Sequence, residues 1–115
     1  MTQDCIFCRV ARGETDSEVL HQDEHVVAFR DIAPQAPHHV LIIPRRHIAT
    51  LDELGPEDAP LAGHMIHTAA RLARDLGVAG EGYRLVFNCN RHGGQTVFHL
   101  HLHLLAGRPM HWPPG

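Results

Sequence analysis

Up to about residue 50 the chain alternates short apolar runs with polar turns, and then it changes to a helical period. Cys5 to Val10 is an apolar patch closed by Ala11-Arg12-Gly13, which predicts a brief helix stopped by glycine. Glu18 to His21 and Glu24 to Asp31 predict a pair of strands about a polar turn at Gln22-Asp23, with Val26, Val27, Ala28 and Phe29 as the apolar content. Ala33-Pro34-Gln35-Ala36-Pro37 is a loop, because two prolines so close together remove donors that a ladder needs. His39 to Ile43 is a short β-branched strand stopped by Pro44. Thr50-Leu51-Asp52-Glu53 has the spacing of a capping box and predicts one helical turn.

The clearest element is a helix from Pro56 or Glu57 to Leu76. Leu61, Met65, Ala69, Leu72 and Leu76 step by four, four, three and four along one stripe. His64, His67, Arg71, Arg74 and Asp75 lie off it, so both histidines are expected on a solvated face. Proline at the start and Gly77 past the end fit the asymmetry of helix termini. Tyr83 to Asn88 predicts a strand, Arg91 to Gly94 a loop, Phe98 to Leu105 a last strand, and Arg108 to Gly115 an extended tail. About five strands, with the long helix between the third and fourth, predict an α+β fold on an antiparallel sheet.

Composition narrows the functional classes. A chain of 115 residues, 43% hydrophobic and 20% charged, suits one globular domain over 1–115, with 106–115 as its tail. No apolar run reaches the roughly 20 residues of a membrane span, and Met1-Thr2-Gln3-Asp4 lacks the start of a secretion leader, so a cytoplasmic location is expected. The net charge of -3, without a basic cluster, argues against nucleic-acid polymers as partners. All ten cationic residues are Arg, so no lysine can act as a nucleophile. Three cysteines, Cys5, Cys8 and Cys89, point to reduced thiols or metal ligands.

With 12 histidines in the chain, three at alternating positions arise by chance on the order of one time in ten. Even so, the run His99-Leu100-His101-Leu102-His103 carries chemistry. On a strand the three imidazoles share one face, while Phe98, Leu100, Leu102 and Leu104 share the other. Groups with pKa values near 6.5 are an unusual choice for an idle surface. Gly93-Gly94-Gln95-Thr96 directly precedes this run, and a glycine pair lets backbone N–H groups crowd around an anion, to which Thr96 adds a hydroxyl. A phosphate pocket beside nucleophiles results. Two other classes stay open: a zinc hydrolase that activates water on the histidine cluster, and a non-catalytic nucleotide sensor or interaction module that binds AMP.

The segment Gln95 to Leu105 resembles the signature of the histidine triad (HIT) superfamily. Phe29 to Pro37, Ile43-Pro44-Arg45-Arg46-His47-Ile48 and the tail Gly107 to Gly115 resemble its Hint branch of nucleoside phosphoramidases. The resemblance implies a HIT-like fold with one short N-terminal helix, one long helix and about five antiparallel strands. It implies that His101 attacks the α-phosphorus of a purine nucleoside phosphoramidate, expels the amine and passes through a nucleotidyl-histidine intermediate, with no cofactor needed. His39, His99 and His103 would orient, donate protons and hold phosphate oxygens, with Gly94, Gln95 and Thr96 completing the oxyanion contacts.

By the same resemblance Asp31 would hold the ribose hydroxyls, Phe7, Phe29, Ile32 and Val97 the base, and Asn88 the ribose and phosphate. The plainer alternatives are core positions for the two phenylalanines and a loop cap for Asp31. The partners implied are purine nucleoside monophosphates, their phosphoramidates and a second copy of the chain, with Trp112 on the tail reaching the partner's site. Cys5 and Cys8 have the spacing of half a tetrahedral zinc site. His47 and His99 complete it by similarity to cysteine-bearing members, giving a structural zinc. The Trp-Pro-Pro-Gly tail belongs to members without that cysteine pair, so reduced thiols remain the alternative.

Overall fold

The computed structural model describes residues 5–115. The expectation about a leader at residues 1–4 lies outside the described residues. The element order is α1 (Ile6–Ala11), β1 (Val19–Gln22), β2 (Val26–Arg30), β3 (His38–Pro44), two 3-10 turns (Leu51–Glu53 and Pro56–Asp58), α2 (Ala59–Asp75), β4 (Tyr83–Phe87), α3 (Asn90–Gly93) and β5 (Leu102–Ala106). The strands form one antiparallel sheet in the order β1-β2-β3-β5-β4. The predicted α+β fold is therefore the observed one.

Both faces of the sheet are covered, and this determines where a site can open. On one face Val26, Ala28, Val40, Ile42, Leu102 and Leu104 meet Met65, Ala69, Leu72 and Ala73 of α2 in a single buried cluster. On the other, Val27, Phe29, Leu41 and Ile43 lie under Phe7, Val10 and Ala11 of α1. Strands β2 and β3 are buried on both sides, which is why they read as continuous apolar runs. With only 6 residues, α1 covers one end of its face and leaves the rest for a groove.

Two predicted boundaries need correction. The last strand begins at Leu102, not at Phe98, because the preceding residues turn aside to a different neighbour. The Leu100 N–H donates to the Ile48 carbonyl (2.6 Å), so residues 98–101 are tied to the segment after β3 and not to a ladder. The predicted loop at Arg91 to Gly94 contains the short helix α3, entered through Asn90 at φ 59° and left through Gly94 at φ 82°.

Two smaller expectations also change. Thr50 opens the predicted helical turn without any side-chain cap. His64 does not face solvent alone, because its Nε2 sits 2.8 Å from the Asp23 carboxylate, while His67 is exposed as expected. That carboxylate also accepts from the backbone N–H groups of His25 and Val26 (2.8 and 2.9 Å) and closes the β1–β2 turn.

Candidate active site

A groove of about 800 Å³ opens on the α1 side of the sheet. Its floor is Phe29, Asp31, His39, Leu41, His101 and His103, and α1 supplies Ile6, Phe7 and Val10. Phe7 stands edge-on to His101 (ring centroids 5.1 Å apart, interplanar angle 83°) and to Phe29 (5.5 Å, 71°), so the helix fixes the ring that it packs on. Phe7 and Phe29 thus serve both as core and as groove wall.

Backbone groups decide which nitrogen of each imidazole is free, since a carbonyl only accepts and an N–H only donates. His101 Nδ1 lies 2.8 Å from the His99 carbonyl, so Nδ1 carries the proton and Nε2 keeps its lone pair. The Gln35 N–H donates to His39 Nδ1 (3.0 Å), so His39 carries its proton on Nε2. That Nε2–H donates to His103 Nδ1 (2.9 Å), which leaves the His103 proton on Nε2. His103 Nε2 is buried without a partner in the fold, a donor left for something else. Asp31 Oδ2 lies 3.6 Å from His39 Nε2, and its other oxygen accepts from the Ala33 N–H (2.8 Å), which is the loop cap.

Burial favours the neutral form of His39 and His103. It lowers the pKa of His39, opposed by Asp31 and aided by His101. It pushes His103 down to about 4, with His101 and His39 adding to the effect and Asp31 opposing it. Neutral rings are what the hydrogen-bond chain from Gln35 through His39 to His103 requires.

His99 does not share the groove face predicted for the triad and stands instead beside Cys5, Cys8 and His47, the other partners predicted for it. Its ring is fully buried and turned away from the groove, and its Nε2–H donates to the Pro44 carbonyl (2.8 Å). The lone pair on Nδ1 then faces Cys5 Sγ (3.3 Å), Cys8 Sγ (3.5 Å) and His47 Nδ1 (3.2 Å), while Cys8 Sγ and His47 Nδ1 are 3.3 Å apart. Four soft or borderline donors within 4.8 Å of one another, at separations near the edges of a zinc tetrahedron, fit that ion. Burial, then Cys5, pushes the Cys8 thiol up to about 11, so an adjacent cation is what would favour its thiolate. Asp31, His39 and His103 also lie within 4.8 Å of one another. They do not fit a metal, because His39 Nε2 carries a proton where a ligand needs a lone pair.

Of the remaining predicted site residues, Ile32, Thr96 and Val97 line the groove. Asn88 lies across the His39–His103 pair, in a separate cavity with Arg84 and His111 under the tail. Gln95 is not a phosphate contact through its side chain. It is buried, its Nε2 donates to the carbonyls of Ala49 and Val97 (2.8 and 3.0 Å), and its Oε1 accepts from the Asn90 N–H (2.9 Å). Gly94 ends α3 outside the groove wall, and Trp112 is 82% exposed. Sequence reasoning missed the Gln35 N–H, held between two prolines, because backbone donors leave no trace in side-chain patterns. It also missed Thr15, Asp16 and Ser17, whose only signal is a polar run just before β1.

The HIT domain family model matches residues 12–110. The chain is 49% identical over 110 residues to the purine nucleoside phosphoramidase of Escherichia coli K12, covering 96% of this chain and 92% of that protein. Among solved structures it is similar to a HIT family hydrolase from Legionella pneumophila, with a TM-score of 0.94, 51% identity and coverage of 96% and 99% of the two chains. It is also similar to a zinc-bound histidine triad family protein from Mycobacterium smegmatis, with a TM-score of 0.79, 30% identity and coverage of 94% and 78%. With its fold, its imidazole groove and its sequence in agreement, the chain belongs to the HIT domain family.

Proposed function

We propose that the protein is a hydrolase that cleaves the P–N bond of purine nucleoside 5'-phosphoramidates, with His101 as nucleophile. One observation carries this reading: the His99 carbonyl holds the proton of His101 on Nδ1 and so leaves the Nε2 lone pair for the groove. That lone pair attacks the α-phosphorus and the phosphorus–amine bond breaks. The departing nitrogen takes a proton from solvent and leaves as the free amine, while His103 Nε2–H, fixed in its tautomer by His39 and the Gln35 N–H, hydrogen-bonds to a phosphate oxygen. Water then attacks phosphorus and gives its proton to solvent, the His101–phosphorus bond breaks, and the nucleoside monophosphate is released. The N-linked intermediate carries positive charge on the ring, which the His99 carbonyl dipole stabilises.

The nucleoside lies along the apolar part of the groove, with the base between Phe7, Phe29, Ile32 and Val97 and the ribose hydroxyls near Asp31. A purine monophosphate is the product and remains a ligand. The 49% identical phosphoramidase supports this substrate class. A water-activating metal on the histidine cluster is disfavoured by the proton on His39 Nε2. Cys5, Cys8, His47 and His99 hold a structural zinc in our reading, supported by their spacing and by the zinc-bound relative. Such an ion supplies a cross-link between α1 and the two segments that follow β3 and precede β5.

We also read 1–115 as one domain that forms a homodimer through β4. That strand lies at the end of the sheet with its residues only half-buried, and the tail packs beside it where Arg84 donates to the His111 carbonyl (2.8 Å). No helix of the described residues is long and apolar enough to cross a membrane. We read the protein as a cytoplasmic enzyme, and the net charge of -3 argues against nucleic-acid polymers as partners.

The test is mass spectrometry of protein mixed with adenosine phosphoramidate. A nucleotidyl adduct is expected on His101, and His101→Ala is expected to lose about a thousandfold or more in kcat. Full turnover by that variant defeats the proposal.

A further inference from the structure

The sheet order gives the groove a ruler. His101 and His103 stand at the β5 end, and the wall continues across β3 and β2 to the segment Thr15-Asp16-Ser17 that leads into β1. Three strand spacings of about 4.8 Å make roughly 14 Å. With side chains reaching inwards from both ends, this matches the length of a purine nucleoside monophosphate. Segment 15–17 is held beside the end of β2, because the Arg30 N–H donates to the Glu18 carbonyl (3.0 Å) and Val19 pairs with Phe29.

The wall between the two ends is mostly apolar, built from Ile6, Phe7, Val10, Phe29 and Ile32, with Phe7 reaching the His101 ring. Against that wall the polar trio stands out. Asp16 is exposed, lines the groove, and has no ion-pair partner among the described residues. The Thr15 and Ser17 hydroxyls hydrogen-bond to each other (2.8 Å), which leaves one hydroxyl proton of the pair to donate outwards. An acceptor pair beside a donor is complementary to guanine, whose Watson-Crick edge offers the N1 and N2 protons to a carboxylate and the O6 oxygen to a hydroxyl. Adenine presents a bare N1 lone pair towards the same carboxylate and an amine where O6 would be, so it meets repulsion in place of two charge-assisted bonds.

We propose that Asp16, supported by the Thr15–Ser17 hydroxyl pair, reads the base edge and makes the groove prefer guanine over adenine nucleotides. This rests on the phosphoramidase reading for the direction in which the nucleotide lies. It assigns a specificity role to Asp16 and leaves the reacting groups unchanged.

The experiment compares kcat/KM for guanosine, inosine and adenosine 5'-phosphoramidates on the full chain and on Asp16→Ala. Calorimetry with GMP and AMP is run on the same two proteins. The wild type is expected to favour guanosine over adenosine about tenfold, a modest ratio because the carboxylate is open to solvent. Inosine, which lacks the 2-amino group, is expected to fall between them, and Asp16→Ala to bring the guanosine-to-adenosine ratio to about one. A wild-type ratio near one, or a ratio that survives Asp16→Ala, overturns the assignment while leaving the hydrolase reading intact. If no phosphoramidate is hydrolysed, the hydrolase reading fails instead, and the affinities still decide. Tighter GMP binding that Asp16→Ala abolishes supports the assignment, and equal binding overturns it.

Discussion

Gln95 illustrates how a side chain can sit beside a site and serve it only by holding the backbone. It satisfies three backbone groups from three stretches of chain, at Ala49, Asn90 and Val97, and it is 7% exposed. Truncating it leaves those groups without partners, and Gln95→Ala is expected to cost about 2–3 kcal/mol in urea unfolding. A change in kcat with no loss of stability contradicts this role. The sequence placed Gln95 beside Thr96, and Thr96 lines the groove. What it could not reveal is which way the amide turns, because that depends on backbone groups some 46 residues distant. His101 and His103 were legible from alternation with leucines. His99, three residues ahead of β5, does not keep that alternation, and its ring follows the Pro44 carbonyl and the cysteines, where only the resemblance to cysteine-bearing members had put it.

Among the elements, α2 was the most legible, because Met65, Ala69 and Leu72 of its stripe are the residues buried against the sheet. The short helix α1 was legible as a helix, but its task was not. It carries Phe7 towards the groove and Cys8 towards His47 and His99, on adjoining faces of one turn. Removing a bound ion would therefore loosen the element that walls the groove. With zinc stripped by a chelator, the melting temperature is expected to fall by about 5 °C for each 1 kcal/mol of lost stabilisation. Turnover of adenosine phosphoramidate is expected to persist, with a higher KM. If kcat vanishes on stripping and returns with the metal, an ion takes part in the chemistry and our reading of the four ligands as structural is wrong.

At the scale of the whole molecule, the buried polar groups make stability depend on acidity in two stages. His103 is pushed from 6.5 to about 4 by burial and by its histidine neighbours. Between those values the unfolded chain binds a proton that the folded chain refuses, so stability falls as pH drops from about 6.5 towards 4. Asp23 acts lower on the scale. Burial pushes its carboxyl up, but the bonds from His21, the His25 and Val26 backbone and His64 outweigh this and hold it well below the usual range. Its contribution is complete above the unfolded carboxylate value near 4 and is lost as pH falls further. Urea titrations from pH 8 to 3 are expected to show a smaller upper stage in His103→Leu, since burial also lowers His99 and His39, and a smaller lower stage in Asp23→Asn, since Asp58 is lowered too. Unaltered curves in both variants contradict the account.

One residue belongs to two systems, and it does so through different atoms. Position 99 offers its ring to the thiols and its main-chain oxygen to the neighbouring imidazole. Any other anchor that kept this stretch of main chain in place could substitute for the ring, so a descendant that had lost both thiols need not lose its chemistry. The ring we propose as nucleophile, two residues further on, admits no comparable replacement.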